Sequence, residues 1–161
     1  GYPLLAQTMF DRLVDVSLDS AEFTPALARE HKISPDWKYI DFWLVDNAVF
    51  GDGTPVTAED VKYSMETFLR KDLKYLFGPL WRRTVKEIEV VEPLHVRIHM
   101  NFPDPGFLGR IWWGTGIFPK AYREKVGDQG FADKPIGAGP FKWVDYRQDV
   151  SFPYLYRALT G

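Results

Sequence analysis

The stretch Phe50-Gly-Asp-Gly-Thr-Pro-Val-Thr-Ala-Glu-Asp-Val61 constrains the fold more than any other part of the chain. It predicts a strand end, a tight turn, a helix cap and a helix start in quick succession. Asp52-Gly53 tolerates positive φ, so the strand before it can stop sharply. Pro55 fixes an extended link and removes one backbone donor. Thr57 stands where an N-cap belongs, and Asp60 follows three residues on. That is a capping-box pattern with Asp in place of the usual Glu. The helix it launches places Val61, Met65, Phe68 and Leu69 on one face. All of this is architecture. Asp52, Gly53, Pro55, Thr57 and Asp60 form no constellation that could do chemistry.

The rest of the chain supplies partners for that junction. Residues 4–14 predict a short helix with Leu5, Met9 and Leu13 on one face. Residues 22–33 read as a connecting segment, with Pro25 placed to open a brief helical turn at Ala26-Leu-Ala-Arg29. Residues 37–46 alternate: Ile40, Phe42 and Leu44 on one face, Tyr39, Asp41 and Trp43 on the other. That pattern is a strand. The helix of the opening motif runs from Ala58 to about Leu69. Phe77-Gly-Pro-Leu80 reads as a break. Residues 85–91 and 95–100 predict a hairpin across Glu92-Pro93-Leu94. Residues 107–113 and 119–126 predict two short helices. Pro135-Ile-Gly-Ala-Gly-Pro140, with Gly137 and Gly139, reads as a structural turn, since its prolines remove donors and no helix start with a Lys follows. Residues 141–146 read as a strand. The sum is a single α+β domain over residues 1–161, a mostly antiparallel sheet covered by helices on one side.

Several function classes drop out. The net charge is −2, and Lys71, Lys74, Arg82 and Arg83 surround a hydrophobic loop without forming a patch, so no nucleic-acid partner is expected. The chain has no cysteine, which removes disulfide scaffolds and thiolate metal sites. No apolar run approaches the roughly 18 residues needed to span a bilayer. Gly1-Tyr-Pro has neither a charged region nor an apolar core, so it is no signal peptide. His95 and His99 share a strand face with Arg97 between them. A cation is a poor neighbour for a metal ion and no third ligand lies at short spacing, so this face is expected to be solvated, with no metal bound. Glu87, Glu89 and Glu92, and likewise Asp11 and Asp15, read as surface acids. There is no nucleophile elbow, and Gly114-Thr-Gly116 lacks the Lys and the length of a phosphate loop. No catalytic residue, cofactor or enzyme activity is assigned.

Aromatic residues make up 16% of the chain, six of them Trp. Most such rings fill cores, but they also build pockets for amphipathic solutes. Arg110-Ile-Trp-Trp-Gly-Thr-Gly116 is the one segment that suggests a site. Two adjacent Trp precede a small loop with free N–H groups. In an extended segment their rings would point to opposite sides. Either both are core, or Trp113 or Trp112, with Thr115, lines a solute cleft.

The run from Phe50 to Val61 resembles the motif F-x-D-G-x-P-x-T-A-x-D-V of the periplasmic solute-binding proteins that serve oligopeptide, dipeptide and nickel ABC importers, solute-binding family 5. Phe10-Asp-Arg-Leu-Val-Asp15 with Pro25-Ala-Leu-Ala28 is similar to that family's opening. Asn101-Phe-Pro-Asp-Pro105 resembles the end of its middle hairpin. Ile117-Phe-Pro-Lys120, Val126-Gly-Asp128 and Pro135 to Lys142 resemble its close. The four fall in register over residues 9–146. The resemblance implies the smaller domain of the first lobe of a two-lobed, class C binding protein, non-catalytic and without cofactor. It implies a peptide or other small amphipathic solute, an ABC permease as partner, and a periplasmic or membrane-anchored extracellular location with a signal peptide upstream. It places Trp112, Trp113, Gly114 and Thr115 beside the ligand cavity, and Tyr2, in the loop of residues 1–5, near the same mouth. Residues 147–161 match poorly, and the chain is expected to be a fragment without the second lobe and the extreme N-terminus. A second class carries the same domain: the ligand-sensing region of a transcription regulator.

Overall fold

The computed structural model describes residues 9–145 and 154–157. Strands β1 (Val14–Val16) and β2 (Phe23–Pro25) form a two-stranded antiparallel ribbon. Strands β3 (Ala28–Ile33), β4 (Tyr39–Leu44), β5 (Val85–Glu92) and β6 (His95–Met100) form an antiparallel sheet in the order β3-β4-β6-β5. Helices α1 (Ala58–Leu69), α2 (Gly78–Thr84), α3 (Phe107–Gly114) and α4 (Lys120–Asp133) follow the chain. A second ribbon pairs β7 (Phe141–Asp145) with β8 (Tyr154–Arg157). No helix among the described residues is long and apolar enough to cross a membrane.

The period-2 alternation of β4 decides which face of the sheet is covered. Ile40 pairs with Ile98 and Phe42 with Val96, while Ile88 and Val90 of β5 meet the same two β6 residues. Helix α1 packs on this apolar side, over β5 and β6. Ile40, Phe42, Val61, Met65, Val96 and Ile98 are all sealed from solvent there.

The opening motif folds as its residues dictate. Gly53 adopts φ +87°, the left-handed conformation that glycine reaches without strain. Asp52 Oδ1 accepts hydrogen bonds from Thr54 N at 3.0 Å and Thr54 Oγ1 at 2.6 Å. Asp60 Oδ2 accepts from the Thr57 amide at 3.0 Å and its hydroxyl at 2.9 Å. Asp60 Oδ1 accepts from the Lys120 amide at 2.9 Å, the first residue of α4. One carboxylate thus serves the start of two helices, where unpaired N–H groups and the helix dipole favour a negative charge. One turn on, Ser64 Oγ donates to Phe118 O and accepts from Phe118 N, at 3.2 and 3.0 Å.

Four expectations change. The helix over residues 4–14 does not reach Val14: residues 1–8 lie outside the described set, helix is seen at Met9 alone, and Val14 opens β1. Its β-branched Val-Asp-Val alternation found a partner in β2, and short-range helical spacing lost to pairing. The connecting segment of residues 22–33 is β2 and β3, with Pro25 ending a strand. The break at Phe77 is the N-cap of α2, with Pro79 in the first turn, where its missing N–H costs nothing. The last helix ends near Val126 as expected, but Gly127, with φ +73° and ψ 177°, joins it to a further helical segment that carries α4 on to Asp133.

The second face of the sheet is not simply solvated. His95 is 8% exposed and Asp41 5%. Asp41 Oδ1 accepts from His95 Nε2 at 2.7 Å and from Arg97 Nε at 2.8 Å, and Oδ2 accepts from Arg97 Nη2 at 3.0 Å. His99 Nε2 lies 2.7 Å from Glu89 Oε2. Cross-strand pairing put complementary groups opposite each other and drew them together, which single-strand alternation cannot reveal.

Candidate functional site

Helix α3 buries Phe107, Leu108 and Ile111. Because this segment is helical, neighbouring rings diverge by roughly 100° instead of pointing to opposite faces. Trp112 turns toward β1. Its Nε1 donates to Asp15 Oδ1 at 3.0 Å, the Arg12 guanidinium stands 5.7 Å from its ring centroid, and Arg12 Nη1 donates to Trp112 O at 3.2 Å. Trp113 turns outward and is 47% exposed. Its ring meets Phe77 edge to face at 5.4 Å.

Behind Trp113 the wall is fixed. The Tyr75 hydroxyl donates to Gly114 O, and its ring lies 4.7 Å from Phe68 and 6.4 Å from Phe77. Burial pushes the Tyr75 phenol up to about 12, so it stays a neutral donor. A Cβ at Gly114 would collide with the Tyr75 hydroxyl. Thr115 is 1% exposed and its Oγ1 donates to Ile111 O at 2.6 Å. Leu76 is 76% exposed and Leu80 is also exposed. Leu76, Phe77, Leu80 and Trp113 offer apolar area and ring faces, with Lys74, Arg82 and Arg83 close by in sequence. Nearby, burial raises the Asp11 carboxyl, Arg12 pulls it back, and Asp15 raises it further.

Of the residues singled out in the sequence, Trp112, Trp113, Gly114 and Thr115 sit together at the end of α3. Tyr2 lies outside the described residues. Gly137 and Gly139 belong to a seam elsewhere. Gly51 N donates to Gly137 O and Gly139 N donates to Met9 O, both at 2.9 Å, and a Cβ at Gly137 would overlap the Met9 carbonyl. That loop therefore docks against the opening motif. Sequence reasoning missed Tyr75, Leu76 and Phe77, which read as loop and break. Their signal was three large apolar side chains in a row before a helix-starting Pro. No group of three or more His, Cys, Asp or Glu able to hold a metal exists among the described residues.

Comparison with known proteins decides the family. The profile of bacterial extracellular solute-binding proteins, family 5 Middle, matches residues 22–155. The chain belongs to this family. Family 5 relatives include heme-binding protein A of Haemophilus influenzae, 27% identical over 96% of this chain and 32% of that protein. The "Probable D,D-dipeptide-binding periplasmic protein DdpA" of Escherichia coli is 34% identical over 89% of this chain and 30% of that protein. Among solved structures, AgaA of A. tumefaciens in complex with agropinic acid superposes with a TM-score of 0.80 at 30% identity, covering 89% of this chain and 29% of that one. NikZ of Campylobacter jejuni with Ni(L-His) gives 0.77 at 30% identity, covering 87% and 28%. The chain spans about a third of the length of the curated family 5 relatives it matches.

Proposed function

We propose that this chain supplies one wall of the solute cleft of a two-lobed family 5 binding protein, the non-catalytic recognition component of an ABC importer. The protein acts in the periplasm or anchored outside the cell, and hands its solute to a membrane permease. The observation that carries this reading is Trp113: a large ring left half-exposed on a rigid backing of Phe77, Tyr75 and Gly114. Contiguous exposed apolar area mounted on a fixed backing is what a ligand-binding surface offers. Relatives named for a dipeptide, heme, agropinic acid and Ni(L-His) share the scaffold. The aromatic wall suits the apolar part of a peptide or similar amphipathic solute, while groups that anchor charged ends come from other parts of the full-length protein.

Covering the open half of an indole is worth on the order of 2 kcal/mol, about thirtyfold in affinity. Titration calorimetry on the full-length protein with defined dipeptides, wild type against Trp113→Ala, tests this. A thirtyfold weaker fit with the melting temperature held within a few degrees supports the cleft. Unchanged affinity with lost stability assigns Trp113 to the core and overturns it. Residues 1–161 alone should bind dipeptides weakly, and sub-micromolar binding would contradict a single-wall role. A helix-turn-helix module upstream, in place of a secretory signal, would reassign the domain to a regulator.

A further inference from the structure

A cavity of about 590 Å³ opens beside the polar face of the sheet, where β4 ends and the β5–β6 hairpin turns. It shares no residue with the Trp113 surface. Arg29, Trp43, Asp46, Glu92, Leu94 and His95 line it. Its size is within the range of small-molecule sites, about 300–1,000 Å³.

Two features distinguish it from an ordinary crevice. The first is a held wall. His95 stacks on Trp43 with centroids 4.7 Å apart and planes 23° from parallel. Asp41 grips the His95 ring at 2.7 Å and is itself gripped by Arg97 through both carboxylate oxygens. Withdrawing such a network from water is costly, and as a stabiliser it is poor value. Its geometric effect is to fix one imidazole and one indole at the rim of the cavity, as outer groups fix the functional groups of a preorganised site. The second is separated charge. Arg29 brings a cation, Asp46 and Glu92 bring anions, and among the described residues no ion pair joins Arg29 to either of them. Leu94 and the Trp43 ring add apolar surface to the same lining.

We propose that this cavity is a second binding site, taking a small zwitterion with an apolar body, the chemistry of a free amino acid. The carboxylate meets Arg29, the ammonium meets Glu92 and Asp46, and the side chain lies against Trp43 and Leu94. A ligand of one charge would leave the opposite wall unanswered, and a neutral one would answer neither.

The test uses the full-length protein labelled with 5-fluorotryptophan, with the Trp43 fluorine resonance assigned by its loss in Trp43→Phe. L-phenylalanine is titrated against phenylacetate, phenethylamine and N-acetyl-L-phenylalanine amide. L-phenylalanine should shift the Trp43 resonance saturably, and each analogue should bind about tenfold weaker or less. Arg29→Ala and Glu92→Gln, both at exposed positions, should each weaken L-phenylalanine about tenfold. Trp113→Phe should leave this response unchanged whatever its effect on the solute cleft, which separates this proposal from that one. Absence of a saturable Trp43 shift up to the solubility of L-phenylalanine overturns the site. So does an equal response to the neutral amide. A response abolished by Trp113→Phe but not by Arg29→Ala would send the amino acid to the other surface and overturn it too.

Discussion

The junction at Thr57–Asp60 and the end of α3 were the two most conspicuous segments of the sequence, and they ended in opposite conditions. At the junction the Thr57, Asp60 and Ser64 side chains are satisfied internally. Asp60 alone answers three donors on two helices, and Ser64 answers both backbone groups of Phe118. At the end of α3 the backbone is equally fixed, yet Trp113 and Leu76 face outward with apolar area unburied. A strong motif marks where the chain needs its own groups. A candidate site lies where rigid groups are left over.

Asp60 carries the largest expected effect. Asp60→Ala removes a buried carboxylate and leaves amides at two helix starts without their acceptor, so it should cost about 3 kcal/mol in urea denaturation. A loss below about 0.5 kcal/mol would mean the junction is not a structural anchor.

Trp112 and Trp113 sharpen the contrast side by side. Trp112→Ala removes the bond to Asp15 and the ring beneath Arg12, and should cost about 2 kcal/mol of stability. Trp113→Ala should cost under about 1 kcal/mol of stability, with its main effect on solute affinity. Equal losses from thermal melts would erase the distinction.

Asp41 gives a smaller effect that depends on pH. Burial alone would raise its carboxyl, but hydrogen bonds from Arg97 and His95 and their positive charges outweigh burial and hold it below its ordinary 3.8. A group depressed in the folded state binds its proton more readily when unfolded. Its contribution is therefore full above pH 3.8 and is lost as pH falls through the lower folded value. Wild type should outlast Asp41→Asn in urea at pH 6, and the gap should narrow below about pH 4. A gap constant with pH would show that Asp41 acts through shape alone.

The smallest effect has the opposite sign. Trp37, at the turn between β3 and β4, adopts φ +56°, a conformation that costs a bulky L-residue roughly 1–2 kcal/mol. Trp37→Gly should raise stability by up to about 1 kcal/mol, because relief of that strain is only partly offset by the extra freedom glycine has in the unfolded chain. A loss would mean the half-buried indole contributes more than its strained backbone takes away.

Local rules read much of this chain correctly. Helix α1 starts and stops where its cap and periodicity place it, β4 faces the core with Ile40, Phe42 and Leu44, and the β5–β6 hairpin turns at Pro93-Leu94. Those features depend on groups within a few residues of one another. Strands β1 to β3 were illegible because short strands exist only through their partners, and spacing within the segment carries no trace of the partner. The Pro79 turn misled because proline both ends and begins helices.

Residue identity and local conformation were enough for the junction, the period of each long element, the absence of thiol chemistry and the family resemblance. Tertiary structure alone decided that Trp113 faces out while Trp112 braces β1, that Tyr75 and Phe77 stand behind Trp113, and that Asp41, His95 and Arg97 close into one network. Those outcomes depend on residues 38, 36 and 56 positions apart in sequence for Trp113–Tyr75, Trp113–Phe77 and Arg97–Asp41, and only folding brings such pairs within reach.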